Sequence, residues 1–403
     1  MGAAEHQPVD QRMCTPVSRA ELERRWNAAR SRMAALGIDA LLIQGFSNFS
    51  GGGYFRWFTG LAAGTGNPNT LIFPSSGLMT LIAHGDEGAG RELNDKDSGF
   101  PGVGTRLTVP NFPAAGYLAY LDAELVAREV RNAGIRTLGR VGPTLMYHGF
   151  ARRLEELLSG INWIDATDIV DQIKAVKSAE EIELIRQTAA AQDAIMAKLP
   201  DYIRPGVRDY EVTAQAMYFG QMLGCEGGHF HAASAPADAP VVMRQRQQQG
   251  REIRQGDAFV FQCENSGPGG YYSHLARVFV LGKAPQVLKD GFAAAADAQQ
   301  FTLSLIRPGV SGRAVYARYN EFLRERGLPK ERRLHCHAQG YDTVERPLVR
   351  PEETMLFAAG MNIGIHPGFA LPGGYATVCD NFLIGPTGVL ERLSNTPLEI
   401  VEL

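Results

Sequence analysis

The 403-residue chain predicts two domains, a mixed α/β domain over residues 1–174 and a second domain of helices and strands over residues 175–403. Three observations carry this. The length is enough for two separate cores. The first half alternates helical and strand patterns. A fresh helix start with its own cap lies near residue 178, with no low-complexity linker before it.

The first helix opens at Ser18, with Glu21 three positions on as a capping-box pattern. Leu22, Trp26, Ala29, Met33 and Leu36 form its apolar stripe, and Gly37 closes it. Ile38 to Gln44, Thr70 to Phe73 and Leu78 to Ala83 are short apolar runs that predict buried strands. Tyr120 to Ala133 and Gly149 to Leu158 predict helices, with Thr137 to Val141 a strand between them. Ser178 and Glu181 form a second capping box, ahead of Ile182, Ile185, Ala189, Met196 and Leu199 on one helical face. Helices follow at Val207 to Leu223, Gln286 to Ile306 and Ser311 to Arg326. Strands are predicted at Ala258 to Gln262, Tyr271 to Leu281, Met361 to Ile365 and Asn381 to Ile384.

Composition narrows the function classes. The formal charge is −3, and no basic cluster or aromatic–basic alternation appears, so nucleic acid is not an expected partner. No apolar run approaches the ~20 residues that span a bilayer, so a membrane partner is not expected either. Met1 to Pro16 is polar and has no apolar core, unlike a secretory leader. Five cysteines form neither a CxxC pair nor a disulfide framework, which predicts free thiols in a reducing cytoplasm.

The chemistry gathers in the last 150 residues. The segments are Gln262 to His274, containing Glu264 and Gly270-Tyr271; His335-Cys336-His337 through Asp342; Gly364-Ile365-His366-Pro367-Gly368; and Val378-Cys379-Asp380-Asn381. In this order and spacing, with Gly256-Asp257 and Gly360-Met361 ahead of two of them, they resemble the pita-bread family of methionine aminopeptidases, prolidases and creatinase. The stretch from Ile173 to Ile182 resembles the start of that family's catalytic domain. The resemblance implies a creatinase-type α/β N-terminal domain and an α+β pita-bread C-terminal domain, a curved antiparallel sheet backed by helices. Metal-dependent relatives place Asp, Asp, His, Glu and Glu at five ligand positions. Here those positions are Gln262 or Glu264, then His274, His337, His366 and Cys379, and one His alone is retained.

Two cations ~3.5–4 Å apart need bridging anions. Imidazoles and a thiol in place of carboxylates therefore predict no dinuclear centre. Two chemical uses remain open. The imidazoles can act without metal as acid–base groups, since imidazole titrates near working pH. Alternatively His274, His337 and His366, with Cys379, can hold a single Zn²⁺ or Fe²⁺ ion. The resemblance to creatinase implies metal-free hydrolysis of a C–N bond in a small polar nitrogen compound, with His337, His274, Glu264 and His366 as catalytic groups. A lyase related to the dimethylsulfoniopropionate lyase, or a hydrolase with a single metal, is the alternative. A non-catalytic binding protein is the reading from another class.

Substrate contacts are expected from Tyr271, Asp342, Glu345, Cys379 and the alternating pair His229 and His231. His335 alternates with His337 in the same way. Asp342, Glu345 and Asp380 are also candidates to orient the imidazoles. Val344 replaces the second His that peptidases of the family use. In the first domain, Gly51 to Gly60 resembles a creatinase-type loop in which Arg56 can fork onto a substrate carboxylate. The family pattern implies a homodimer in which the N-terminal domain contributes to the partner's site.

Overall fold

The structure, a computed structural model, describes residues 13–46, 52–371 and 374–403, with backbone alone at 370, 371, 374 and 375. Gly51, in the N-terminal Gly-rich segment, lies outside the described residues. The chain divides into two compact units, Met1–Lys174 and Ala175–Leu403.

The first unit runs α1 (Arg19–Leu36), β1 (Ala40–Gly45), α2 (Gly53–Thr59), β2 (Asn69–Pro74), β3 (Met79–His84), β4 (Gly90–Glu92), β5 (Val103–Val109), α3 (Leu121–Asn132), β6 (Thr137–Val141), α4 (His148–Leu157), β7 (Asn162–Asp165) and α5 (Thr167–Ala175). Its seven strands form one mixed sheet in the order β4-β5-β3-β2-β1-β6-β7. The Ser18 hydroxyl accepts from the Glu21 backbone N–H, and Gly37 ends α1 at φ 64°. Leu22, Trp26, Ala29 and Met33 are buried, whereas Leu36 is 55% exposed. Leu36 is the last residue of the helix, before the Gly37 cap, and the buried stripe ends at Met33, one turn earlier than its periodicity predicts. Helices α3 and α4 cover one face, packing Val126, Val130, Phe150 and Leu154 on Leu42, Ile72 and Ile82.

The second unit contains α6 (Ala179–Lys198), α7 (Asp209–Met222), β8 (Gly227–Pro236), β9 (Asp257–Ser266), β10 (Tyr272–Val280), α8 (Gln286–Leu305), α9 (Gly312–Glu325), β11 (Cys336–Ala338), β12 (Glu345–Leu348), β13 (Asn362–Ile365), β14 (Gly368–Leu371), β15 (Gly374–Thr377), β16 (Asp380–Ile384), β17 (Val389–Arg392) and β18 (Ile400–Glu402). Ser178 and Glu181 complete the capping box of α6 in both directions. One sheet has the order β18-β10-β9-β8 and a second has the order β12-β11-β13-β16-β17. An antiparallel bridge between Ala276 and Cys379 links them.

Alternation decides which residues face the site. On β9, Phe259, Phe261 and Cys263 point into a core under α6 and α7 with Ile195, Val212 and Leu275. The opposite face carries Ala258 and Val260, which pack with Val278, Phe292, Ala295 and Tyr319 beneath α8 and α9. Continued along β9, that second face turns polar at Gln262 and Glu264. On β10 it turns polar at His274, and on β8 at His231 and His229. On the second sheet Cys336, Ala338, Ile363, Ile365, Phe382 and Ile384 enter another core. Their alternates, His337, Gln339, Gly364 and Asn381, face the other way.

Candidate functional site

Two cross-strand rows define the site. In the first sheet His229 pairs with Glu264, which pairs with His274. In the second, His337 pairs with Gly364, which pairs with Asn381. His366 lies two residues beyond Gly364, with its backbone N–H donating to the His335 carbonyl at 2.8 Å.

These rows bring three imidazoles together. Ring centroids are 5.2 Å apart for His274 and His337, 4.9 Å for His274 and His366, and 5.1 Å for His337 and His366, all edge-on. One nitrogen from each ring comes within 4.8 Å of the other two. Gly364 makes this approach possible, because a Cβ there would collide with His274 Nε2 and lie 2.9 Å from each neighbouring ring carbon.

Hydrogen bonds fix two of the ring tautomers. His337 Nδ1 lies 2.9 Å from the Ala338 carbonyl, which can only accept, so Nδ1 carries the proton and Nε2 the lone pair. His274 Nδ1 lies 3.3 Å from Glu264 Oε1. Gln339 directs its amide N–H groups to Glu264 at 3.1 Å and to the Thr343 carbonyl at 2.9 Å. Asn381 holds Gln339 Oε1 at 2.8 Å and accepts from the His274 backbone N–H at 3.0 Å. The outer edge of His274 is thus fixed, while Nε2 of His274 and of His366 is buried without a hydrogen-bond partner among the described residues.

Electrostatics follow from this packing. Burial pushes His337 down to about 4, with His274 adding to the effect. Burial also holds His366 well below the ordinary imidazole range. Burial alone would raise Glu264, but the hydrogen bond from His274 and the neighbouring imidazoles outweigh it and leave the carboxyl below its usual range. Glu264 is therefore an anion whose side chain keeps 14% exposure beside the rings.

The other sequence-predicted residues lie as follows. His229 and His231 stack on each other at 5.5 Å, facing Glu264 and Gln262 across the strand pair. His335 does not join the cluster, since its ring stacks on Tyr319 at 3.7 Å and reaches Thr302 at 3.4 Å in the helical layer. Cys379 is fully buried, its thiol 3.7 Å from the His274 carbonyl, and burial pushes that thiol well up. Among the described residues the group whose ligand atoms converge is His274, His337 and His366, without Cys379. Tyr271 is 1% exposed, donates to Glu181 at 2.7 Å and stacks on Tyr341.

Glu345 pairs with Lys177 at 3.1 Å and accepts from the Asp342 backbone N–H at 3.2 Å, which ties both residues to a buried ion pair. Asp380 is held by Arg277 and Arg392, each at 2.7 Å. Glu345 and Asp380, expected to orient the imidazoles, thus each carry a buried ion pair. Arg56 lies in α2 of the first unit, 9% exposed. Sequence reasoning assigned no role to Gln339, Asn381 and Gly364, although all three fall inside the quoted motifs.

Comparison with known proteins agrees with this architecture. Residues 183–386, just over half of the chain, match the profile of Metallopeptidase family M24. The chain is 26% identical over 249 residues to a probable dipeptidase PepE of Mycobacterium tuberculosis, a match covering 60% of this chain and 64% of that relative's length. It is 25% identical over 414 residues to the uncharacterized hydrolase/peptidase y4tM of Sinorhizobium fredii, covering 95% of this chain and 98% of the relative. The crystal structure of dipeptidase PepE from Mycobacterium ulcerans superposes with a TM-score of 0.73 at 23% identity, covering 96% of this chain and 99% of that one. The two-unit fold is the pita-bread architecture with its N-terminal domain, and the chain belongs to metallopeptidase family M24.

Proposed function

We propose that this chain is a hydrolase that cleaves a C–N bond of a small polar nitrogen compound at the cavity built by His274, His337, His366 and Glu264. The observation that supports this reading best is the convergence of three imidazoles within 4.8 Å, beside a carboxylate that stays ionised despite burial.

The family's dinuclear metal pair does not fit these residues. Of the five positions that resemble its ligand set, Glu264 alone offers an anion. Gln262 is an amide, Cys379 is a thiol bonded to a backbone carbonyl, and the rest are imidazoles. No step is assigned to such a pair.

The chain's own groups suffice for the proton work. Glu264 accepts the proton of an attacking water and returns it to the leaving nitrogen. The His274 N–H, Gln339 and Asn381 hold that carboxylate in one orientation. The inward imidazole nitrogens are acceptors for N–H groups of the substrate and hold it beside Glu264. A small non-peptide substrate is favoured by Val344, 45% exposed where the family's peptidases carry a second His. The dipeptidase name of the PepE relative favours a second reading, hydrolysis of a dipeptide amide, which is also C–N cleavage.

The test is a screen of guanidino, ureido and cyclic-amidine compounds alongside dipeptides, followed by His337→Ala on whichever compound reacts. We expect turnover to fall ~10²–10⁴-fold. Near-wild-type turnover in that variant would place the chemistry elsewhere.

A further inference from the structure

We infer that His274, His337 and His366 form a mononuclear site for one borderline divalent cation of the Zn²⁺ class, coordinated through three imidazole nitrogens, with Glu264 and the Ala338 carbonyl as outer partners. Three observations converge. The ligand nitrogens of the three rings all lie within 4.8 Å of one another. Nε2 of His274 and of His366 is buried with no hydrogen-bond partner, although a buried polar atom ordinarily has one. The far side of two rings is occupied in the pattern of metal-bound histidine: a carboxylate on His274 Nδ1 at 3.3 Å and a backbone carbonyl on His337 Nδ1 at 2.9 Å. Each of those bonds fixes the proton on the outer nitrogen and turns a lone pair inward.

Acceptor lone pairs that face one another in a buried place repel unless a cation or a donor lies among them. Imidazole donors select Zn²⁺, Fe²⁺, Cu²⁺ or Ni²⁺ over the hard ions that carboxylates favour. Three protein ligands also leave a fourth position for a water or substrate atom, which separates catalytic from structural sites. A second ion has no bridging anion here, since Glu264 is bonded to His274 and Gln339. Gly364 belongs to the site as the residue whose missing side chain admits the His274 ring.

This inference goes beyond the hydrolase reading and is measured without substrate. A chain that takes up one ion but cleaves nothing would sink the function and spare the site. Full-length protein, purified without a polyhistidine tag and treated with chelator, is titrated with Co²⁺. We expect one ion per chain with the visible absorption of a four-coordinate site, and the same stoichiometry in Cys379→Ser. His274→Ala and His337→Ala should each lose at least ~100-fold in affinity, and Glu264→Gln ~10–100-fold, as for a lost outer partner. Alanine at so buried a position risks the fold, so the wild-type protein is also followed by imidazole ¹⁵N NMR on Zn²⁺ addition. The nitrogens of all three rings should shift together at one equivalent. Two ions per chain, no uptake of either metal, uptake that survives His337→Ala, or uptake lost in Cys379→Ser would each overturn the assignment.

Discussion

Gly364→Ala is the substitution that probes the site's construction most sharply. The residue lies in β13 between His337 and Asn381, and an added methyl would land on His274 Nε2 with two ring carbons 2.9 Å away. The ring has little room to retreat, because its side chain is 1% exposed and its far edge abuts Glu264 and Gln339. Forcing a methyl into such packing costs roughly 1–3 kcal/mol. Displacing the ring also strains the hydrogen bond between His274 and an ionised carboxylate, a class worth about 1.5–3 kcal/mol. Together these predict a local loss of roughly 3–5 kcal/mol. Hydrogen exchange in peptides covering β10 and β13 should then quicken by ~10²-fold or more, while β1 to β3 of the first unit keep their protection. A ring moved by ~1 Å should also lower turnover by ~10²-fold. Wild-type protection in β10 together with wild-type turnover would refute the argument, because it would show that the ring is not held where the contacts place it.

Two further predictions concern pH. In the first unit Asp122 is buried beneath Gln44 and Thr70, and burial raises its carboxyl to about 6. Since its folded value lies above its unfolded one, its contribution is full below about pH 4 and is lost as pH rises through 6, a change of roughly 3 kcal/mol. Asp122→Asn should flatten that slope. Tryptophan fluorescence reads it cleanly, because Trp26, Trp57 and Trp163 all belong to the first unit. In the second unit His337 is held down at about 4. The chelator-treated protein should therefore lose stability as pH falls from 6.5 to 4, with roughly 3 kcal/mol of that from His337, and His337→Ala should reduce that slope in hydrogen exchange of β11, His366 supplying the remainder.

The residues of the site were more legible in the sequence than their support. His274, His337 and His366 stand in motifs whose order identifies the fold, and Glu264 precedes them in the same loop-strand pattern. Capping signals at Ser18 and Ser178 mark two helix starts because caps are local chemistry. Gln339, Asn381 and Gly364 depend instead on register, which pairs β11 with β13 and β13 with β16. No local spacing encodes that pairing. Strand β11 is three residues long, too short for a period to show. His335 shows the limit of alternation: it shares parity with His337, yet Tyr319 of α9 captures its ring. Cys379 and Tyr271 occupy motif positions, but their burial and their contacts with the His274 carbonyl and Glu181 depend on elements distant in sequence.

Hydrolysis of a C–N bond is the central claim, and the origin of the oxygen in the product tests it most directly. The compound that responds in the screen is turned over in H₂¹⁸O and its products are weighed by mass spectrometry. Hydrolysis places solvent ¹⁸O on the carbon that lost nitrogen, and the label should fall away in step with turnover in His337→Ala. An unsaturated product carrying no ¹⁸O would show that the bond breaks by elimination, and would contradict the account.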